Sequence, residues 1–262
     1  MLISLQRKDR ASLEPAQGSF SHHRQHGLRI DGRRTTELRK IRSITSTLSQ
    51  ADGSAYLEHG NTKILAAVYG PREVRSKTNI IHERCYINVE FSMAPFSTTE
   101  RRRRAKTDKR MLEIAQFVKQ SFEPVVLTQI YPRSQVDIYL QILQHDGGIL
   151  EACINATTLA LMDAGVAMED YVCACTAGWI DKEPALDLNS VEEAQDTSEM
   201  TVALLPKSGK IALLQMEARL HVDKLEEVLQ LASDGCRQIH TVLDRTIRDR
   251  AEDLAHKMPS SS

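Results

Sequence analysis

The sixteen residues LEACINATTLALMDAG, from Leu150 to Gly165, place apolar side chains on nearly every face of a helix. A helix without a polar stripe has no side to offer water, so the fold has to bury it. Gly165 reads as its C-cap, because glycine adopts the left-handed conformation that ends a helix at little cost. The chain has 262 residues and is 41% apolar, enough for one large domain or two smaller ones around such a core.

On either side lie weaker but regular patterns. SAYLEHGNTKILAAVYG has strand-like runs flanking His59-Gly60-Asn61, which predicts a hairpin, and ERCYINVEFS alternates as a strand. DKRMLEIAQFVKQSFEPV sets Met111, Ile114, Ala115, Val118 and Phe122 on one helical face, with Asp108 near its start and Pro124 beyond its end. VDIYLQIL, YVCACTAGWI, MTVALLP and IALLQMEA read as further strands, the last two joined by a turn at Lys207-Ser208-Gly209-Lys210. A terminal helix carries Leu225, Val228, Leu229, Ala232, Cys236, Ile239, Leu243 and Ile247 on one face. Strands, a helix and more strands in each half predict an α+β architecture with helices packed on mixed sheets. Residues 1–27 read as a flexible tail, 28–255 as the folded domain and 256–262 as a second tail.

Several function classes are disfavoured. No run approaches the roughly 18 apolar residues of a membrane span, and the opening MLISLQRKDRASLEPAQ lacks the apolar core of a secretory signal, so the chain reads as intracellular. Five scattered cysteines read as buried thiols, and Cys173 and Cys175 lack a second ligand pair for zinc. Walker, dinucleotide and Gly-x-Ser-x-Gly motifs are absent.

Charge is segregated although the net charge is only -1. Between Arg72 and Arg110 eleven Lys or Arg stand against five acids, a local +6; from Asp181 to Glu199 seven acids stand against one Lys, a local -6. Phosphate contacts respond to local potential, so the basic region can hold a polyanion; a solvated surface loop is the competing reading. Four consecutive arginines in TTERRRRAKTDKR cannot share one face of a helix or strand. A flexible cationic loop of this kind suits backbone contacts to single-stranded nucleic acid, with a nuclear-localisation signal as the alternative. The acidic stretch DLNSVEEAQDTSEM, with Asp187, Glu192, Glu193, Asp196 and Glu199, reads either as a metal-binding cluster or as a solvated loop.

Taken in order, RIDGRR at 29–34, ADGSAYLEHGNTKILAAVYGPRE at 51–73, FSTTERRRR at 96–104, YPRSQVDIYLQILQHDGG at 131–148, ALMDAG at 160–165 and the acidic loop resemble the ribonuclease PH family, as it occurs in the core ring of the eukaryotic RNA exosome. The resemblance covers about Leu28 to Ala255 and implies a ribonuclease PH-like (ribosomal protein S5 domain 2-like) fold. It also implies RNA processing and degradation from the 3′ end: rRNA maturation, RNA surveillance and mRNA turnover in nucleus, nucleolus and cytoplasm. The partners it implies are single-stranded RNA, other ribonuclease PH-like subunits in a hetero-hexameric ring, OB/KH-fold cap subunits and a separate hydrolytic exoribonuclease, with no membrane. Ring closure needs two interfaces per subunit, so apolar surface should be exposed on the isolated chain.

Active members of the family use inorganic phosphate to release nucleoside diphosphates. Their phosphate-binding hydroxyl residue and arginine follow the Gly-Gly turn, where this chain has Ile149 and Leu150, and Glu151 is expected to repel an incoming phosphate. Two aspartates of active members match Glu193 and Glu199, each one methylene longer here. On that basis the chain is expected to be a non-catalytic ring subunit with no working catalytic, phosphate or metal site and no cofactor. Magnesium and phosphate enter only under the alternative, an active phosphate-dependent 3′-5′ exoribonuclease. By the same resemblance Arg75, Lys77, Arg101, Arg102, Arg103 and Arg104 match positions lining an RNA channel.

Overall fold

The computed structural model describes residues 28–74, 81–98, 101, 108–180, 183–195, 197–216 and 219–257. The expectations for 1–27, 258–262, Arg75, Lys77, Arg102, Arg103, Arg104 and Asp196 lie outside these residues. A short unit up to Arg34 is a turn in which Arg33 Nε donates to Asp31 Oδ2 at 2.5 Å. The unit from Thr35 onward carries the sheets and helices described below.

The apolar helix is α2 (Ile149–Asp163), and every side chain from Glu151 to Leu161 is buried. It packs against strands of two sheets, β2 (Gly53–His59) and β3 (Thr62–Glu73) of the first and β6 (Cys173–Ile180) and β8 (Ser198–Leu204) of the second. Burial of this kind contributes about 1.5–3 kcal/mol for each large aliphatic side chain such as Ile154, Leu159 and Leu161. The helix's polar groups are satisfied in place: Asn155 exchanges two hydrogen bonds of 2.9 Å with the backbone of Ala174, and Thr158 Oγ1 donates to Val172 O at 2.6 Å. Gly165 follows the helix with φ +70°, as the sequence predicts.

The first sheet has the order β1 (Ile41–Thr45), β2, β3, β5 (Ser134–Gln144), β4 (Tyr86–Met93). Its β4–β5 pair is parallel and the rest antiparallel, so the sheet is mixed. The second is antiparallel, ordered β7 (Glu183–Leu186), β6, β8, β9 (Ile211–Met216). The expected hairpin turns at Gly60, and α1 (Lys109–Phe122) starts on the side chain of Asp108 and packs against β4 and β9. A 36-residue helix, α4 (Val222–Lys257), packs against β6, β7 and β8 through the expected apolar face. All five cysteines are buried and free.

One polar cluster sits inside this core. The Arg39 guanidinium donates to Asp187 Oδ1 through Nε at 2.7 Å, to Asp146 O at 2.6 Å and to Glu151 Oε1 at 3.3 Å, while the Arg39 backbone N–H donates to Asp187 Oδ2 at 2.6 Å. His59 Nε2 stands 3.1 Å from Asp187 Oδ2, and Glu151 Oε2 accepts the Thr176 N–H. Arg39, His59, Glu151 and Asp187 are all at most 8% exposed. Burial pushes the Asp187 carboxyl up, but His59 and Arg39 outweigh it and hold it well below the usual carboxylate range. Burial and the adjacent Asp187 charge push Glu151 well above that range.

Removing one partner leaves a buried charge uncompensated. Arg39→Met is therefore expected to lower the unfolding free energy by about 3–5 kcal/mol, whereas Arg39→Met with Asp187→Leu should lose less than the two single changes combined. Urea titration of the three variants checks this; additive losses would remove the cluster from its structural role.

Candidate functional site

Arg39 also sets the turn from which the site is built. Gly147 and Gly148 adopt φ of +82° and +64°, a conformation that L side chains rarely take, and a Cβ on Gly148 would run into the Glu151 carboxylate and the Arg39 guanidinium. Thr62 Oγ1 donates to Gly147 O at 2.7 Å and accepts the Asp146 N–H at 3.1 Å, which fixes the turn against the hairpin. The acidic stretch is held just as firmly. Asn189 caps the short helix α3 (Ser190–Glu193), accepting from the backbone N–H groups of Val191 and Glu192, and Glu192 Oε2 accepts the Asn189 N–H at 3.1 Å. Ser190 Oγ then donates to Asp146 Oδ1 at 2.6 Å, tying α3 to the glycine turn.

These elements surround a cleft of about 80 Å³. The turn and α2 contribute His145, Gly148, Ile149 and Leu150; α1 contributes Arg110, Glu113, Ile114 and Phe117; α3 contributes Glu193. Thr176, Glu199, Thr201 and Gln215 close it from β6, β8 and β9. An adjoining recess shares Arg110, Ile114, His145 and Ile149 and adds the apolar side chains of Phe91, Met93 and Met111. The cleft therefore joins a wall that carries a guanidinium, an imidazole, hydroxyls and carboxylates to an apolar wall. That combination suits a ligand with an anionic part and a flat or aliphatic part.

Four of the residues singled out from sequence meet here: Ile149, Leu150, Glu193 and Glu199. Arg101 is exposed and is not among the cleft-lining residues. Glu151 departs from expectation. It is fully buried and turned toward Arg39 and the Thr176 N–H, so it does not face an incoming phosphate. Glu192, one of the five acids of that stretch, is 3% exposed and completes the α3 cap.

Residues the sequence reading passed over are Arg39, His59, Arg110, His145, Thr176 and Thr201. Arg110 carried a usable signal, because a cation in the first turn of a helix opposes the helix dipole and calls for another reason to be there. No comparable signal marks His145 in the sequence.

Glu193 Oε1 accepts the Gly148 N–H at 2.6 Å, which places a carboxylate of the chain itself at the start of α2. Burial pushes the Glu193 carboxyl up, against the pull of the Gly148 N–H, Arg39 and Arg110. A carboxyl raised in the folded state adds stability at low pH and loses it as pH rises through the folded value. Glu193→Gln is expected to flatten that decline as pH rises above the ordinary glutamate range, read from urea midpoints; an unchanged slope would contradict it.

Among the described residues, the one group of three potential ligands whose atoms lie within 4.8 Å of each other is His59, Glu151 and Asp187. Arg39 is bonded to both of those carboxylates, and its fixed charge does not fit a metal at that position.

Comparison with known proteins places this geometry. The model of the 3′ exoribonuclease family, domain 1, matches residues 37–167, and that of domain 2 matches 170–235. The chain is 52% identical over 230 residues to the exosome complex component RRP41 of Bos taurus, covering 87% of this chain and 94% of that protein. It is 40% identical over 234 residues to the exosome complex component Rrp41 of Thermococcus kodakarensis, covering 89% and 94%. The crystal structure of rice (Oryza sativa) Rrp46 aligns with a TM-score of 0.76 at 25% identity, covering 84% of this chain and all of that one.

These matches overturn the expectation of a non-catalytic chain. Both domains carry the signature of an exoribonuclease family, and the resemblance extends to an archaeal relative. The physical ground for inactivity also weakens, because Glu151 is turned away and Arg110, His145, Thr176 and Thr201 bring donors that Ile149 and Leu150 lack. With α+β architecture, ordered motifs and both family domains in agreement, the chain belongs to the ribonuclease PH, or 3′ exoribonuclease, family.

Proposed function

We propose that this chain is a core subunit of an RNA exosome that engages the 3′ end of single-stranded RNA in the cleft at the start of α2. The observation that carries the reading is the cleft itself, built from the glycine turn and acidic helix within a chain 52% identical to an exosome component. Arg110 supplies charge for an RNA phosphate, and the recess of Phe91, Met93 and Met111 supplies apolar surface for a base or ribose. Arg75, Lys77 and Arg101 to Arg104 would guide the strand toward it, since contacts to a backbone need charge and adaptability but no base code.

Assembly into a ring of ribonuclease PH-like subunits, capped by OB/KH-fold subunits and coupled to a hydrolytic exoribonuclease, belongs to the same proposal. So does work on rRNA and mRNA in nucleus, nucleolus and cytoplasm. Exposed Ile211, Leu214 and Met216 on β9, an edge strand, supply apolar surface suited to a neighbouring subunit.

Phosphate-dependent cleavage is the second reading, favoured by the family and by the convergence of Arg110, Glu193 and Glu199 in one cleft. In that reaction an oxygen of inorganic phosphate attacks the 3′-terminal phosphodiester. The bond to the preceding nucleotide's 3′ oxygen breaks, and a nucleoside diphosphate leaves. Glu193, with its raised carboxyl, would supply the proton that the departing 3′ oxygen takes up.

Arg110→Glu in the reconstituted ring is expected to weaken binding of single-stranded RNA at least about tenfold, measured by fluorescence anisotropy, with the thermal unfolding profile retained. Unchanged affinity would remove the cleft from RNA handling. For the second reading, incubation of the ring with RNA, magnesium and phosphate should release nucleoside diphosphates only when phosphate is present. Release of monophosphates independent of phosphate would contradict it.

A further inference from the structure

The buried cluster around Arg39 contains an acceptor without a donor. His59 Nε2 stands 3.1 Å from Asp187 Oδ2, and an ionised carboxylate can only accept. The neutral ring therefore carries its proton on Nε2 and leaves Nδ1 as a bare acceptor. His59 is 1% exposed, and its Nδ1 has no hydrogen-bond partner. The carboxyl oxygen facing that nitrogen is Glu151 Oε1, 3.9 Å away on a fully buried side chain.

The charges of the cluster point the same way. Arg39 brings one positive charge against the carboxyl groups of Glu151 and Asp187, so with both ionised and His59 neutral a net negative charge would lie inside the core. Asp187 takes the Arg39 Nε–H and backbone N–H, whereas Glu151 receives the longer 3.3 Å contact from Arg39 and the Thr176 N–H. The titratable groups further out bring no cation to balance it. The Asp146 carboxylate accepts from Asn61 and Ser190, and Glu193 accepts the Gly148 N–H. Cys175 and Cys236 are thiols that burial pushes up.

We infer that Glu151 is a neutral carboxylic acid whose O–H is directed at His59 Nδ1, and that this proton is a pH-sensitive latch on the glycine turn. The proton supplies the bare acceptor with a donor and brings the cluster to neutrality. The upward push on Glu151 from burial and from Asp187 agrees with that placement. Glu151 lies against Gly148, and its Oε2 accepts the N–H of Thr176, which lines the cleft, so the turn and β6 meet at this one carboxyl. A carboxyl raised in the folded state contributes stability that is present below its unfolded value and lost as pH rises through the folded one. Loss of the proton leaves an unmatched negative charge against Gly148 and loosens the start of α2. The inference concerns the scaffold and does not depend on what occupies the cleft.

Glu151→Gln tests this, because glutamine keeps a donor for Nδ1 and an acceptor for Thr176 but has no proton to lose. Glu193 titrates beside the same turn, so the comparison is made between reconstituted rings carrying Glu193→Gln with and without Glu151→Gln. Amide hydrogen exchange of residues 145–152, read by mass spectrometry and corrected for the intrinsic effect of pH, reports the turn. With Glu151 present, protection is expected to fall at least about tenfold as pH rises from the ordinary glutamate range into the alkaline range; with Glu151→Gln it should stay within about threefold. Equal declines in the two rings, or no decline in the first, overturn the inference. Should the double variant not assemble, the Glu193→Gln ring decides alone: its infrared difference spectra should lose a protonated-carboxyl band over the pH range in which protection falls, and spectra without that loss overturn the inference.

Discussion

The Arg39 guanidinium ties together segments that are far apart in the chain: the loop before β1, the glycine turn after β5, the buried start of α2 and the loop after β7. Each bond is modest in water, but here the partners are removed from solvent, so the pairing has to be complete. Asp187 takes both the side chain and the backbone N–H of Arg39. It does so at φ +56°, a conformation unusual for any residue but glycine. Because Gly148 lies against Arg39 and Glu151, the start of α2 can be displaced only by disturbing this cluster. The site's accuracy is thus inherited from the core.

That inheritance explains the division of labour among the acids. Glu151 and Asp187 face inward and hold the scaffold, Glu192 caps α3, and Glu193 and Glu199 reach the cleft. An acidic loop that looks uniform in sequence therefore contains at least three different roles. The same cleft gathers Arg110, His145 and two threonines, so the loss of side-chain donors at positions 149 and 150 does not leave it apolar.

The fold was largely legible in the sequence because its elements are strongly patterned. The predominantly apolar α2, the alternating β5 and β6 and the long stripe of α4 each appear where periodicity places them. The site was legible only through resemblance, which pointed to positions 149, 150, 193 and 199 but not to which way Glu151 faces. A carboxylate one residue beyond Leu150 looks cleft-facing on spacing alone. Its direction is decided by Arg39, 112 positions earlier, and no local pattern carries that information. Likewise His145 stands in an unremarkable QHDGG, and only the meeting of β5, α1 and α2 brings it to the cleft.

The proposed function requires RNA 3′ ends to reach the cleft at the start of α2. The most direct test is photocrosslinking of single-stranded RNA carrying a 3′-terminal thiouridine to the reconstituted ring, with the adducts mapped by mass spectrometry. Adducts are expected within residues 110–117 and 145–150, lost when an RNA without the label competes. Adducts confined to other surfaces of the chain, with none in these two segments, would contradict it.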